Sequence, residues 1–486
     1  MEYVYKHPPR PYQRAIVENL WQEEALALFL EQGLGKTKVV LDQAAFQYLN
    51  NGCNGLVVVS KILAVENWYK VEIEKHLNVP FEKHLYTAGA RKKVPTVWHP
   101  TQALRLLMVN DGQLRTKHGL AAVERFIDNH KVGMVIDEST LIKNPSAKLT
   151  KAAIKLGKKA AYRRILSGTP DPQGPQDYYS QYRFLDPNIL VTPSFTAYKN
   201  MYCKQKILFI NGREIRTPTR EFNPGMRELF EKKVGKNTVR LRKDEVLPDL
   251  PPKQYQKIVY SLPTEVQREY NRLAEEFFAE LVVERNPDEK ASVTALVAVA
   301  RITRLHQLAC GHIVADDGSL RRVDGGRYDV LKELLDGRPE QSKTIIWCHY
   351  RDNIDELEER LGADFGKDSV VRIYGGIKAS DRTFALEAFQ EGEARFLLAN
   401  PAAAGWALTL TCADAAIYYS NSYNFEHRAQ SEDRIHRIGQ TANKVMYYDI
   451  VADGTVDERI LDVLKSKKDF SETIMRGLNE WLKKLV

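Results

Sequence analysis

The chain has 486 residues, 43% of them hydrophobic and 28% charged, which is typical of a folded protein of about two to four domains and excludes a largely disordered one. A formal net charge of +8 permits a polyanionic partner such as a nucleic acid but does not require one. Five cysteines without a CxxC pair argue against a zinc ribbon or a disulfide framework, and the apolar runs are too short to enter a membrane, so we expect a cytoplasmic protein.

The first part of the chain alternates short apolar runs with helical patterns. We predict a helix at 36–48 and buried strands at 25–30, 56–59, 132–136 and 164–166. Strands that alternate with helices form mostly parallel sheets covered by helices. The expected fold class is therefore α/β.

The same alternation returns in the last third of the chain. We predict helices at 353–361 and 380–389, the second capped by Ser380, and strands at 343–348, 370–374, 395–398, 416–419 and 444–451. Between these parts the pattern is irregular at first and then helical. The sequence thus predicts a first parallel-sheet lobe at 1–185, a mainly helical insertion and linker at 186–326, and a second lobe at 327–486.

A candidate phosphate-binding loop, 31–37, joins the first predicted strand to the first helix. Its glycines would let backbone amides approach a phosphate, and the helix N-terminus adds partial positive charge. Lys36 would bind the β- and γ-phosphates, and Thr37 would bind Mg²⁺. Leu30 replaces the first glycine of the usual motif, so the prediction depends on the strand–loop–helix context. The residues expected to surround the phosphates are Gly33, Leu34, Gly35, Lys36 and Thr37.

Two carboxylates follow the predicted strand at 132–136. Asp137 would bind Mg²⁺, and Glu138 would orient or deprotonate the attacking water, as in a Walker B motif. Solvated acidic residues at strand ends are common, so the pair alone is weak evidence. Ligands of parallel sheets bind at the carboxyl ends of strands, however, where this pair and the phosphate loop both fall. Together the two motifs predict an ATPase that uses Mg²⁺.

The second lobe contributes two arginines. We predict a helix over 430–440, on which Arg434 and Arg437, three residues apart, share a face. A charged surface helix is the simpler interpretation. The second lobe carries no phosphate loop of its own, however, and an ATPase built from two such lobes needs a positive charge at the γ-phosphate during hydrolysis. Both arginines are therefore candidate catalytic residues.

In their order along the chain, these motifs resemble those of superfamily-two helicases, specifically the Swi/Snf-type DNA translocases. The resemblance extends to 9–13, 57–63, 166–170, 184–187 and 430–440, and the Arg-Ile-Gly-Gln ending of the last stretch is specific to this family. It implies two RecA-like lobes in tandem that bind ATP and Mg²⁺ and track along double-stranded DNA. Among these proteins, the compact chain resembles viral or bacteriophage members.

The resemblance also implies roles for single residues. Gln13 would contact the adenine, and Gly405 would belong to the ATP site. Gln430 would act with the two arginines in catalysis. The residues expected to contact DNA are Lys61, Asn110, Arg242 and Thr409, although a solvated surface is the simpler interpretation of the basic stretch at 240–243.

Some positions depart from the family pattern. Thr140 stands where a histidine is usual, which weakens the expected coupling between hydrolysis and the stretch 166–170. Ala404 and Ala407 stand where the family favours glycine. These departures keep open a nucleotide-switched DNA-binding protein without motor activity. An RNA or single-strand helicase is the alternative among enzymes.

Two further features have simple interpretations. Trp68 follows an apolar strand and is expected in the core rather than on nucleic acid. His306, Cys310 and His312 lie close in sequence, but a fourth ligand at the usual spacing is missing, so core packing is favoured over a metal site.

Overall fold

The computed structural model describes residues 3–87, 94–95, 97, 99, 101–171, 174–210, 213–283, 291–314, 319–404 and 408–466. These residues form two compact units that divide after Pro248. The predicted boundaries at 185 and 326 do not coincide with this division, because strands from the region between them enter both main sheets. None of the described helices has both the length and the apolar character needed to cross a membrane.

The first unit contains the following strands: β1 Ala25–Leu30, β2 Gly55–Ser60, β3 Phe81–Tyr86, β4 Leu104–Asn110, β5 Val132–Asp137, β6 Tyr162–Leu166, β7 Cys203–Ile210, β8 Arg213–Phe222 and β9 Thr238–Leu241. Its helices are α1 Pro11–Leu20, α2 Lys36–Asn51, α3 Ile62–Asn67, α4 Ile73–His76, α5 Asp111–Leu114, α6 Lys117–Asn129, α7 Lys148–Gly157, α8 Tyr178–Leu185, α9 Phe195–Tyr202, α10 Pro224–Gly235 and α11 Lys243–Val246.

Seven of these strands form one parallel sheet in the order β3-β4-β2-β5-β6-β1-β9. Strands β1, β2 and β4 are buried along their whole length. This burial explains why β1 and most of β2 appear in the sequence as continuous apolar runs. Because the strands are parallel, the loop after β1 and the acidic pair after β5 lie at the same edge, separated by the single strand β6. Within the described part of the chain, the remaining two strands, β7 and β8, pair only with each other.

The second unit contains the following strands: β10 Lys253–Tyr260, β11 His312–Val314, β12 Leu320–Arg322, β13 Lys343–Trp347, β14 Val370–Ile373, β15 Phe396–Ala399, β16 Ala413–Tyr418 and β17 Val445–Ala452. Its helices are α12 Thr264–Val283, α13 Ala291–Ala309, α14 Arg327–Asp336, α15 Arg351–Phe365, α16 Ala379–Gln390, α17 Pro401–Ala404 and α18 Phe425–Glu432.

Six strands of this unit form a second parallel sheet in the order β10-β17-β16-β13-β15-β14. Successive residues of β13 enter different hydrophobic clusters, Ile345 on one face of the sheet and Ile346 on the other. Both faces are thus covered, and the predicted α/β class with two parallel-sheet lobes is confirmed. Ser380 is not a cap as predicted, because α16 begins one residue earlier and Lys378 holds the capping position.

Candidate active site

The phosphate loop is shaped by two glycines in left-handed backbone conformations. Gly33 has φ +86° and Gly35, immediately before α2, has φ +76°. A Cβ atom at position 35 would lie 2.4 Å from Gln13 Nε2, so a larger residue would displace that side chain. Lys36 is buried, and its ammonium donates a hydrogen bond to the carbonyl oxygen of Leu30 at 2.8 Å. The lysine is therefore held inside the loop, where a phosphate would replace the carbonyl as its partner.

The first helix is joined to the same loop through Gln13. Its Nε2 donates to the Leu34 carbonyl at 3.0 Å, and its Oε1 accepts from the Arg10 amide at 3.0 Å. Tyr12 donates its hydroxyl proton to the same Leu34 carbonyl at 3.0 Å. Gln13 thus lies beside the phosphate loop, and adenine contact by this residue stays a prediction.

Asp137 ends strand β5 and is held by a tryptophan. Trp68 Nε1 donates to Asp137 Oδ2 at 3.0 Å, and the indole is buried. The core position predicted for Trp68 is correct, but the sequence analysis missed its contact with the carboxylate. Burial, together with the neighbouring Glu138 carboxylate, raises the pKa of Asp137 to about 6. A bound cation would oppose that shift and favour the ionised carboxylate.

Glu138 is the one non-glycine residue among the described residues with a positive φ, at +56°. For an ordinary side chain this conformation costs about 1–3 kcal/mol and is typical of functional sites. Gln32 in the phosphate loop donates to Glu138 Oε1 at 2.9 Å. The other oxygen, Oε2, is buried and has no hydrogen-bond partner within the part of the chain that the structure describes. The strained backbone therefore presents a carboxylate with one oxygen available to act as a base.

The residues predicted to bind Mg²⁺ have suitable chemistry. Thr37 lies in the first turn of α2, and Asp137 lies at the end of β5 at the same edge of the sheet. Mg²⁺ prefers hard oxygen ligands such as a hydroxyl and a carboxylate, and it usually keeps several waters. The buried carboxylate with its raised pKa is a group that a cation would stabilise, so these side chains fit the ion.

A buried hydrogen-bond chain connects the acidic pair to the stretch 166–170. Ser139 donates its hydroxyl proton to Gln181 Oε1 at 2.5 Å. Gln181 Nε2 donates to the carbonyl oxygens of Pro170 at 2.7 Å and Asp177 at 2.8 Å. Ser139 and Gln181 are fully buried. We call this connection the Gln181 relay. It begins at Ser139, one residue before Thr140, and the sequence analysis did not predict it.

The helix predicted over 430–440 is only partly present. Helix α18 ends at Glu432, and the next residues form turns, with the Ile435 amide bonded three residues back to the Glu432 carbonyl. Ile435 is fully buried in the core on one face of the second sheet, and the turns direct it there. The predicted shared helix face for Arg434 and Arg437 is therefore wrong.

Both arginines nevertheless form hydrogen bonds with the same short segment, residues 408–409. Arg434 is buried, and its Nη1 donates to the Leu408 carbonyl at 3.1 Å. Arg437 Nη1 donates to Thr409 Oγ1 at 3.3 Å, which places this candidate DNA contact beside the arginine. Gln430 is buried on α18, and its Oε1 has no hydrogen-bond partner among the described residues. Gly405 lies outside the described residues.

Two of the residues expected to contact DNA come together at the edge of the first sheet. Asn110 pairs with Ser60 across β4 and β2, and Lys61 follows directly. The Lys61 side chain is 39% exposed, and its ammonium lies 3.4 Å from an Asp111 carboxylate oxygen. Asn110 is buried, and its Oδ1 accepts from the Gln113 amide at 2.7 Å, which caps α5.

The basic stretch at 240–243 is not the solvated surface that its sequence suggests. Arg240 is buried, with its guanidinium 3.9 Å from the Asp171 carboxylate. Lys243 is also buried, and its backbone amide donates to Glu31 Oε2 at 2.7 Å. Arg242 is partly exposed and pairs with Asp244 at 3.1 Å. Of the three basic residues, only Arg242 is placed to meet a ligand from solvent.

The second unit contains a buried cluster that includes two of the suspected metal ligands. Potential ligand atoms of His306, Cys310 and Asp457 lie within 4.8 Å of one another, whereas His312 is not in the cluster. Arg327 forms an ion pair with the Asp457 carboxylate and neutralises it. Burial lowers the pKa of His306, but Cys310 and Asp457 outweigh burial and raise it to about 9. These contacts favour a buried polar network, in agreement with the predicted core packing.

A pocket lies at the carboxyl ends of β13, β15 and β16. Its lining includes His349, Asn400, Ser420, His427 and Arg428. Burial, with help from His306 and His427, lowers the pKa of His349 to about 4, so this imidazole is neutral near pH 7. The charge of Arg428 is compensated by Glu432 at 2.8 Å and Asp449 at 2.5 Å. The pocket therefore offers mostly neutral hydrogen-bonding groups.

Two family models match the chain in succession. The model of the SNF2-related domain matches residues 12–312. The model of the helicase conserved C-terminal domain matches residues 326–439. The first match alone covers more than half of the sequence.

Individual proteins are also similar to this chain. DNA annealing helicase and endonuclease ZRANB3 of Bos taurus is 28% identical over 355 residues, which are 73% of this chain and 30% of that protein. An uncharacterized ATP-dependent helicase of Mycoplasma genitalium is 26% identical over 456 residues, which are 92% of this chain and 40% of that protein. The chain thus spans less than half the length of these relatives. The solved Sulfolobus solfataricus SWI2/SNF2 ATPase core in complex with dsDNA is 22% identical, with a TM-score of 0.43 over 100% of this chain and 97% of that one.

Proposed function

Because the chain belongs to the SNF2-related family of ATPases, we propose that it couples Mg²⁺-dependent ATP hydrolysis to movement along double-stranded DNA. The observation that best supports this proposal is the carboxylate of Glu138. The backbone of this residue is strained, and its carboxylate is buried. One carboxylate oxygen accepts a hydrogen bond from the phosphate loop, and the other has no hydrogen-bond partner among the described residues. We place the activity in the cytoplasm, which is a host cytoplasm if the source is a virus or bacteriophage.

The first unit supplies the groups that act on the nucleotide. Lys36 exchanges the Leu30 carbonyl for phosphate oxygens, which compensates their charge. Thr37 and Asp137 would hold Mg²⁺, which would supply charge neutralisation at the phosphates. Glu138 Oε2 accepts a proton from the attacking water, while the bond from Gln32 keeps the carboxylate directed at the loop.

The second unit supplies positive charge and responds to the nucleotide. We expect Arg434 and Arg437 to act on the γ-phosphate during hydrolysis, an effect of about 10³–10⁵ in rate in related enzymes. Gln430, with a buried carbonyl oxygen that lacks a partner among the described residues, is expected to assist them. Successive cycles of ATP binding and hydrolysis would drive the movement along the duplex.

The proposal is tested by ATPase rates measured in parallel without nucleic acid and with duplex DNA, single-stranded DNA and RNA. We expect duplex DNA to stimulate most strongly. Stronger stimulation by single-stranded DNA or RNA would instead support the alternative helicase, and no stimulation would support the nucleotide-switched binding protein. Lys36→Ala is the negative control for hydrolysis.

Movement is tested separately by displacement of a labelled third strand from a DNA triplex. Displacement that needs ATP hydrolysis, without separation of the duplex strands, is the expected result. An active ATPase that leaves the triplex intact would contradict translocation.

A further inference from the structure

Strands β7 and β8 form an antiparallel ribbon that belongs to neither main sheet, and we call residues 203–222 the basic ribbon. Five basic and two acidic residues give it a formal charge of +3. A two-stranded ribbon is marginally stable in water unless another surface covers it. Two apolar side chains of this ribbon are nevertheless exposed, Ile207 at 50% and Ile215 at 43%. The ribbon therefore has both the charge and the uncovered surface of a binding element.

Positive side chains lie on both faces of the basic ribbon. Lys206 and Ile207 are adjacent in β7 and so point to opposite faces. Arg216 pairs with Ile207 across the strands, which puts Arg216 on the face opposite to Lys206. Both basic side chains are exposed. Lys206 has no ion-pair partner among the described residues, whereas Arg216 forms a surface ion pair with Glu214 on its own face at 2.9 Å. An exposed ion pair of this kind is weak, so a phosphate can compete with Glu214 for the Arg216 guanidinium, and a ligand with negative charge on two sides can meet both cations.

We propose that the basic ribbon enters the major groove of double-stranded DNA, with its two faces directed at the two phosphate backbones. The major groove is about 12 Å wide and admits a two-stranded ribbon, which is about 10 Å thick with its side chains. Six consecutive cross-strand pairs, from Gln205 with Pro218 to Ile210 with Arg213, give a ribbon about 20 Å long. This contact is separate from Lys61, Asn110 and the other motif residues, and it rests on the proposed function.

The base of the basic ribbon contacts the loop after β6. A Cβ atom at Gly174, which has φ +110°, would lie 2.1 Å from the Arg220 carbonyl oxygen, so the two backbones meet at this glycine. Tyr198, on the helix before the ribbon, donates to the Pro175 carbonyl at 2.7 Å. Gly174 comes four residues after Pro170, which the Gln181 relay holds. DNA bound to the ribbon would thus shift the loop after β6, which the Gln181 relay connects to the acidic pair.

The test compares two double variants of the full chain without nucleotide. Lys206→Ala with Arg216→Ala removes one positive charge from each face of the ribbon. The matched control, Lys131→Ala with Lys158→Ala, removes two exposed charges near the amino ends of β5 and β6, at the opposite edge of the sheet. Binding of a labelled mixed-sequence duplex is measured from about 50 to 200 mM salt, because phosphate contacts make the affinity fall strongly over this range.

We expect the ribbon variant to bind the duplex about 10- to 50-fold more weakly at low salt. The slope of the logarithm of the binding constant against the logarithm of the salt concentration should fall by about 2 in magnitude, because each lost phosphate contact contributes about 0.9. The control variant should match the wild type. A wild-type slope in the ribbon variant would overturn this inference and leave the proposed function intact. Equal weakening on single-stranded DNA would overturn the placement in a duplex groove. Wild-type protein that does not bind duplex and is not stimulated by it would contradict the proposed function itself.

Discussion

Replacement of Gln181 by leucine should uncouple DNA stimulation from ATP hydrolysis. Leucine has a similar size but cannot form any of the three hydrogen bonds of the relay. Ser139, immediately after the acidic pair, would lose its acceptor, and Pro170 would lose its donor. The end of β5 and the loop after β6 could then move independently.

The expected loss of stability follows from the burial of these groups. Each buried polar group left without a partner costs about 1–3 kcal/mol, and relaxation of the loop carbonyls reduces the sum, so we expect a loss of about 2–4 kcal/mol in the free energy of unfolding. Coupling between two sites is commonly worth about 1–3 kcal/mol. We therefore expect the ratio of DNA-stimulated to basal ATPase rate to fall about 10-fold.

The assay measures ATPase rates with and without duplex DNA, together with unfolding by denaturant. Gln47→Leu is the matched control, because Gln47 is also buried in the first unit and donates to the Trp21 carbonyl at 2.8 Å, away from the acidic pair. Ser139→Ala combined with Gln181→Leu should have nearly the effect of the single glutamine change, since both remove the same bond.

The reasoning is refuted if the two glutamine variants lose similar stability and both keep the wild-type stimulation ratio. Gln181 would then stabilise the fold without connecting hydrolysis to DNA. A fall in the basal rate equal to the fall in the stimulated rate would likewise place the defect in the chemistry and not in the coupling.

Three further predictions concern single side chains. Trp68→Phe keeps the buried ring but removes the hydrogen-bond donor to Asp137. The Mg²⁺ concentration needed for half-maximal ATPase rate should therefore rise about 10-fold, the lower end of the range for residues that hydrogen-bond to metal ligands. An unchanged Mg²⁺ titration would contradict this. Glu138→Gln should retain ATP binding and lower the hydrolysis rate by at least about 10², and a loss of nucleotide binding with normal turnover of the bound fraction would show that the residue has another role. Because the pKa of His306 is raised to about 9 from an ordinary value of 6.5, its contribution to stability is complete below pH 6.5 and lost as the pH rises through about 9. The free energy of unfolding should fall by up to about 3 kcal/mol over that range, His306→Gln should lack this dependence, and the same slope in the variant would assign it to other groups.

Local sequence was sufficient for the elements that carry the phosphate loop and the acidic pair. Strand β1 was predicted with its observed bounds, since a strand buried on both faces of a parallel sheet must be apolar along its length. Gly33 and Gly35 were recognisable because few other residues adopt positive φ. Placement of both motifs at one edge then followed from the parallel order of the strands.

Tertiary structure alone decided which side chains form hydrogen bonds with the residues of these motifs. Trp68 and Asp137 are 69 residues apart, and Ser139 and Gln181 are 42 apart, so no periodic pattern connects them. Hydrogen bonds of buried side chains depend on distances across the fold, which the spacing of residues along the chain does not specify. The end of α18 at Glu432 has a similar origin: local spacing favoured a longer helix, but the burial of Ile435 in the core directed the chain into turns.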